Sequence, residues 1–217
     1  MTEKALLMKE KKSYGFSDLE EIVEILRGEG GCPWDREQNH RSIRNDFIEE
    51  TYEAVEAIDK GDAVLLREEL GDVLLQVVFH AVLAKEDGEF SVDDVCGDIC
   101  KKLIDRHPHV FAETQAETTE QVLVNWDRIK NAEKSRNTLR RELDEVAVSL
   151  PSLIRSQKIA KRLIKAGKEE KSGESITENE LGERLFLLTK AAHENGINAE
   201  QALYNYCNKI IEEKTGD

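Results

Sequence analysis

Two adjoining segments carry the clearest alternation of apolar and polar positions. Along DFIEETYEAVEAIDK (46–60), Phe47, Ile48, Thr51, Tyr52, Ala54, Val55 and Ile58 share one broad side of a helical wheel, and Asp46, Glu49, Glu50, Glu53 and Glu56 share the other. The pattern predicts a helix from about His40, broken at Gly61-Asp62, where Gly61 suits a left-handed stop and Asp62 the cap of the next helix. From Val73 to Ala84 only Gln76 and His80 are polar. A helix apolar nearly all round belongs in a core.

The remaining chain repeats the helical period. Residues 1 to about 16 are polar and are expected to be loose at the start. Ser17-Asp18-Leu19-Glu20 reads as a capping box opening a helix to about Arg27, with Leu19, Ile22, Val23 and Leu26 as its stripe. GEGGCPWD (28–35) is a turn-rich loop, and its Trp34 is either a lid or base-stacking surface, or a plug over a helix end. Ser91 caps a helix that stops at Pro108, and another starts at Thr118 and contains Trp126 and Lys130. Residues 131–149 read as a polar linker with helical tendency, 167–180 as a charged low-complexity patch expected to be mobile, and helices are expected at 151–165, 181–193 and 199–211. Little of the sequence alternates at period two, so the expected fold class is all-α.

Each helix of the first pair carries two acids one turn apart, Glu50 with Glu53 and Glu69 with Asp72. Glu69 and Asp72 point the same way as Leu65, Gln76, Phe79 and Leu83, at the edge of a core. Buried like charges need a cation or a proton. Such pairs on two antiparallel helices can converge four carboxylates on one spot, and hard divalent ions such as Mg²⁺ favour oxygen ligands of this kind.

Composition narrows the function further. At 217 residues the chain holds one large domain or two small ones. Its net charge of −14 argues against general nucleic-acid binding and favours a ligand that brings its own cations. The longest apolar run is too short to span a bilayer, and the N-terminus lacks the apolar core of a signal peptide. The four cysteines show no CxxC pair and read as reduced. No membrane partner and a cytoplasmic location are therefore expected. Lys101, Lys102, Arg106 and His107 close one helix, where they either complement its negative end or meet a phosphate chain.

With CPWDREQNH, FIEETYEAVEAIDKGD, LREELGDVLLQVVFHA, RHPHVF and NWDRIKNAEK read together, the chain resembles the MazG family of nucleoside triphosphate pyrophosphohydrolases over roughly 17–134. The resemblance implies a four-helix-bundle-type MazG module (1–135), completed by dimerisation or higher self-association. It implies Mg²⁺, with Mn²⁺ as an alternative, bound by Glu50, Glu53, Glu69 and Asp72. Lys102, Arg106, Trp126 and Lys130 stand where the family places nucleotide contacts, and Trp34 is a further stacking candidate. Glu49, beside the ligand pair but turned from the core, is the candidate to orient or deprotonate the attacking water. Residues 136–149 are expected as a linker, and 150–217 resemble a degenerate second module. There PSLIRSQKIAKR and Glu180-Leu181-Gly182-Glu183 survive, but the preceding acidic helix does not.

The expected function is Mg-dependent hydrolysis of a nucleoside triphosphate to the monophosphate and pyrophosphate, clearing non-standard or excess nucleotides. One rival is a helical module that binds nucleotide or protein without turnover. A second is a di-iron bundle, which needs paired Glu-x-x-His motifs, and only Glu37-x-x-His40 has that spacing.

Overall fold

The computed structural model describes residues 2–112, 118–133 and 138–216, apart from the side chains of 131–133. No strand occurs among the described residues. The chain divides into two compact units, Met1–Thr114 and Gln115–Asp217, each with its own core.

The first unit comprises α1 (Glu3–Glu10), α2 (Phe16–Arg27), α3 (Pro33–Glu37), α4 (Arg44–Lys60), α5 (Ala63–Glu86), α6 (Val92–Arg106) and α7 (Pro108–Phe111). Its organising feature is the α4–α5 hairpin. Gly61 ends α4 at φ 66°, and Asp62 Oδ1 accepts from the N–H groups of Val64 and Leu65 at 3.0 and 3.1 Å. A left-handed residue followed by a capping carboxylate reverses the chain within two positions. The apolar half of α5 supplies most of the core: Val78, Phe79, Ala81, Val82 and Leu83 pack with Val23, Ile43 and Val92.

Several expectations change. The N-terminal segment forms α1, with Met8 buried and its carbonyl accepting from the Tyr14 hydroxyl at 3.1 Å. Helix α2 starts earlier than the Ser17 reading placed it. Gly15 is the cap, and Asp18 Oδ2 accepts from its N–H at 2.9 Å. Helix α4 begins at Arg44, not near His40. It packs along α5, and its small residues Ala54 and Ala57 are buried, whereas Ile48, Tyr52, Val55 and Ile58 stay exposed in the single chain. The broad apolar side of α4 is therefore only partly used within this unit.

Arg27 ties α2 to the α3 loop and to α5. Its guanidinium makes a bidentate pair with Glu86 at 2.7 and 2.9 Å, donates to the carbonyls of Asp35 and Gln38, and lies over the Phe79 ring at 5.2 Å. The glycine loop folds closely onto the end of α2. A Cβ on Gly31 would stand 2.2 Å from the Leu26 carbonyl oxygen and 2.4 Å from that of Ile25. Both atoms are backbone and cannot swing aside. Gly31→Ala is expected to cost about 1–3 kcal/mol of stability through this overlap, read as a lower urea midpoint at unchanged slope. An unchanged midpoint would mean that the loop is not seated on α2.

The second unit comprises α8 (Thr119–Glu133), α9 (Leu139–Asp144), α10 (Ser152–Lys165), α11 (Glu178–Glu194) and α12 (Ala199–Thr215). The segment expected as a linker carries α9. Its Leu143, together with Val146, is fully enclosed against Ile159, Leu163, Cys207 and Ile211. Helices α10 and α12 are joined by polar contacts. The Ser152 N–H and hydroxyl donate to Glu200 at 2.6 and 2.9 Å, and Arg155 donates to Asn208 Oδ1 at 2.8 Å while lying over Tyr204. Helix α11 buries none of its residues, leaving Phe186, Leu187 and Leu188 exposed.

Candidate metal and nucleotide site

Helices α4 and α5 run side by side from the tight turn at Gly61, so residues two to three turns from it on each helix face each other across the pair. Glu50 on α4 meets Glu69 and Asp72 on α5. One carboxylate oxygen from each lies within 4.8 Å of the other two. Among the described residues this is the one group of three or more acids, histidines or cysteines so gathered. It holds no histidine; His40 instead stacks on His80 with ring centroids 5.0 Å apart.

Burial and mutual repulsion set the electrostatics of the cluster. Glu69 is buried and Glu50 and Asp72 are half-buried. Loss of water raises the Glu50 carboxyl above the usual glutamate range, helped by the charges of Asp72, Glu53 and Glu69. Burial raises Glu69 too, with Glu53 and Asp72 adding to it. Glu53 lies outside the group of three, unlike the four-acid convergence expected from sequence, yet it is near enough to Glu69 to help raise that carboxyl. Crowded, part-buried carboxyl groups favour whatever neutralises them, a proton or a cation. The donors are all carboxylate oxygens, which suits a hard divalent ion and not a soft one. Gln76, one turn beyond Asp72 on α5, is buried with its Oε1 unpartnered. The sequence placed Gln76 in this row without giving it a role.

The other candidates lie as follows. Glu49 is exposed on α4, and its charge acts on Glu50. Lys102 is exposed on α6, one turn before the buried Arg106. Trp34 is exposed on α3. Trp126 and Lys130 belong to α8 of the second unit, with Lys130 Nζ 4.6 Å from the Trp126 ring centroid. In that unit, Glu180 is committed to the start of α11. It accepts from the Thr177 N–H and hydroxyl, both at 2.8 Å, which holds its carboxyl below the usual range. No helix among the described residues is long and apolar enough to cross a membrane.

Helices and carboxylates alone define a class: an all-α module whose acid cluster can hold a divalent metal ion. Comparison with known proteins makes this specific. The MazG nucleotide pyrophosphohydrolase domain matches residues 38–111, a span that includes Glu50, Glu53, Glu69, Asp72, Lys102 and Arg106. The chain is 40% identical over 207 residues to the nucleoside triphosphate pyrophosphohydrolase of Escherichia coli strain K12, covering 84% of this chain and 79% of that protein. It is 35% identical over 216 residues to the nucleoside triphosphate pyrophosphohydrolase/pyrophosphatase MazG of Thermotoga maritima, covering 91% and 83%. With the nucleoside triphosphate pyrophosphohydrolase of Mycolicibacterium smegmatis it shares 41% identity over 148 residues, covering 67% and 45%. The chain belongs to the MazG family of nucleoside triphosphate pyrophosphohydrolases.

Proposed function

We propose that the first unit hydrolyses nucleoside triphosphates to the monophosphate and pyrophosphate with Mg²⁺, or Mn²⁺ in its place. The observation that carries this reading is the meeting of Glu50, Glu69 and Asp72 in a half-buried group whose like charges are uncompensated. These three side chains would hold the ion, and Glu53 would join them through its contact with Glu69. When bound, a divalent cation supplies charge neutralisation at the phosphates and a more acidic water.

The protein groups divide the remaining work. Lys102 and Arg106, one turn apart on α6, bind phosphate oxygens of the substrate. Trp34 stacks on the base. Glu49, free of the buried face, orients the attacking water or takes its proton. The exposed Ile48, Tyr52, Val55 and Ile58 of α4 support self-association, as a dimer or a larger assembly, that covers this face. The biological role proposed is removal of non-standard or excess nucleotides in the cytoplasm.

The second unit is read as a degenerate module without turnover. Its Glu180 serves a helix cap, and no second acid cluster forms among the described residues. Purified protein with Mg²⁺ and a panel of triphosphates is expected to release pyrophosphate and monophosphate in equal amounts, resolved by anion-exchange chromatography. Orthophosphate as the sole inorganic product would mean a different reaction. Tight binding with no product would favour a binding-only module.

A further inference from the structure

The second unit holds a charge pattern that the acid cluster does not use. On α10, Lys158, Lys161, Arg162 and Lys165 recur at i, i+3, i+4 and i+7, which is one stripe of an α-helix. Ile159 and Leu163, between them in sequence, turn into the core. The basic stripe faces a cavity of about 220 Å³, closed on another side by Trp126 and Lys130 of α8. One water needs about 10–15 Å³ of such space, so the cavity exceeds what one or two waters fill.

The lining sets five cations against two carboxylates, Asp127 and Glu142. Asp127 is taken up by Lys165, whose Nζ lies 2.6 Å from Oδ2. Arg162 Nη1 is shut off from solvent and has no hydrogen-bond partner. Burial also pushes the guanidinium below its usual range, with only Glu142 countering it. An orphaned donor on a charged group is costly, and the guanidinium belongs to a residue lining the cavity, where an anionic oxygen can compensate its charge. This concentration of positive charge stands in a chain whose net charge is −14.

We propose that the α8–α10 cavity of the second unit is an oligophosphate-binding site, occupied by an inorganic phosphate chain or by the phosphate chain of a nucleotide. Several cations around one small space match several linked phosphates better than one. The fork of Arg162 pairs with two oxygens while the lysines supply point charges. This site requires no metal and no hydrolysis, so it stands or falls apart from the reaction proposed above.

The test is isothermal titration of the full chain in EDTA at low salt with inorganic tripolyphosphate, pyrophosphate and ATP. Saturable binding of tripolyphosphate is expected. The double variant Lys158→Glu/Lys161→Glu should weaken it at least tenfold, and Lys158→Gln/Lys161→Gln by a smaller factor. Both lysines are exposed, and thermal melts confirm that the variants fold. ATP binding tighter than tripolyphosphate, with the difference lost in Trp126→Ala, assigns the site to nucleotide; equal affinities assign it to inorganic chains. Binding that is unchanged in both double variants, or absent at millimolar anion, overturns the proposal. So does an oligonucleotide that binds these lysines more tightly than any of the three anions.

Discussion

Asp72→Asn and Glu69→Gln are each expected to lower turnover at least about a hundredfold. Both remove a full negative charge from the group that gathers around one position. Changes to groups that merely support a metal ligand cost roughly 10–100-fold, and removing a ligand charge should cost no less. Stability in EDTA should move the other way. Without a cation, Glu50, Glu53, Glu69 and Asp72 repel one another, and a neutral amide relieves part of that strain. An inactive variant that melts no lower than the parent separates a site role from a folding role. Full activity in either variant would remove the chemistry from these carboxylates. Glu53→Gln is expected to reduce activity as well, through its contact with Glu69.

Mg²⁺ is expected to raise the melting temperature of the parent, and the increment should grow with pH. At a hundredfold excess over its dissociation constant, a ligand specific to the folded state stabilises by about 2.7 kcal/mol. The direction with pH follows from Glu50 and Glu69, both raised above the usual carboxylate range. A raised folded-state pKa contributes stability that is fully present below the unfolded-state value and is lost as pH rises through the folded-state value. The metal-free protein should therefore lose this contribution as pH climbs out of the ordinary glutamate range. Mg²⁺ competes with those same protons, so its effect strengthens over the same interval. Melts in EDTA and in Mg²⁺ across pH 4.5–8 (a range of roughly the ordinary glutamate value to neutrality) measure both trends. Glu50→Gln/Glu69→Gln should flatten them. A Mg²⁺ increment independent of pH would argue against ion binding at this pair.

The α4–α5 hairpin was legible because its signals are local: a left-handed glycine, a capping aspartate and two periodic stripes within one stretch. Helix α1 was not, since its apolar positions follow no period and only Met8 finds burial. Helix α9 hid for a different reason. Leu139 and Leu143 on α9, with Val146 and Leu150 beyond its end, pack on one core, but their charged neighbours make the segment read as a linker, and only the packing with Ile159 and Ile211 reveals their use. At the cap of α2, Asp18 served Gly15 where Ser17 seemed the better residue, because the helix already includes Phe16.

The candidate site was read in outline. Acids within an apolar helix announced themselves at Glu69 and Asp72. Wheel geometry could not resolve that Glu53, 60° from Glu50 on an ideal helix (roughly 100° per residue), falls just outside the tight group. The basic cavity needed α8 to approach α10, and no local pattern on either helix encodes that approach.

Anomalous diffraction from crystals of the full chain grown with Mn²⁺ decides whether Glu50, Glu69 and Asp72 share one divalent cation. A manganese peak bonded to carboxylate oxygens of all three residues is expected. Manganese bound elsewhere, with these carboxylates turned apart into solvent, would contradict it.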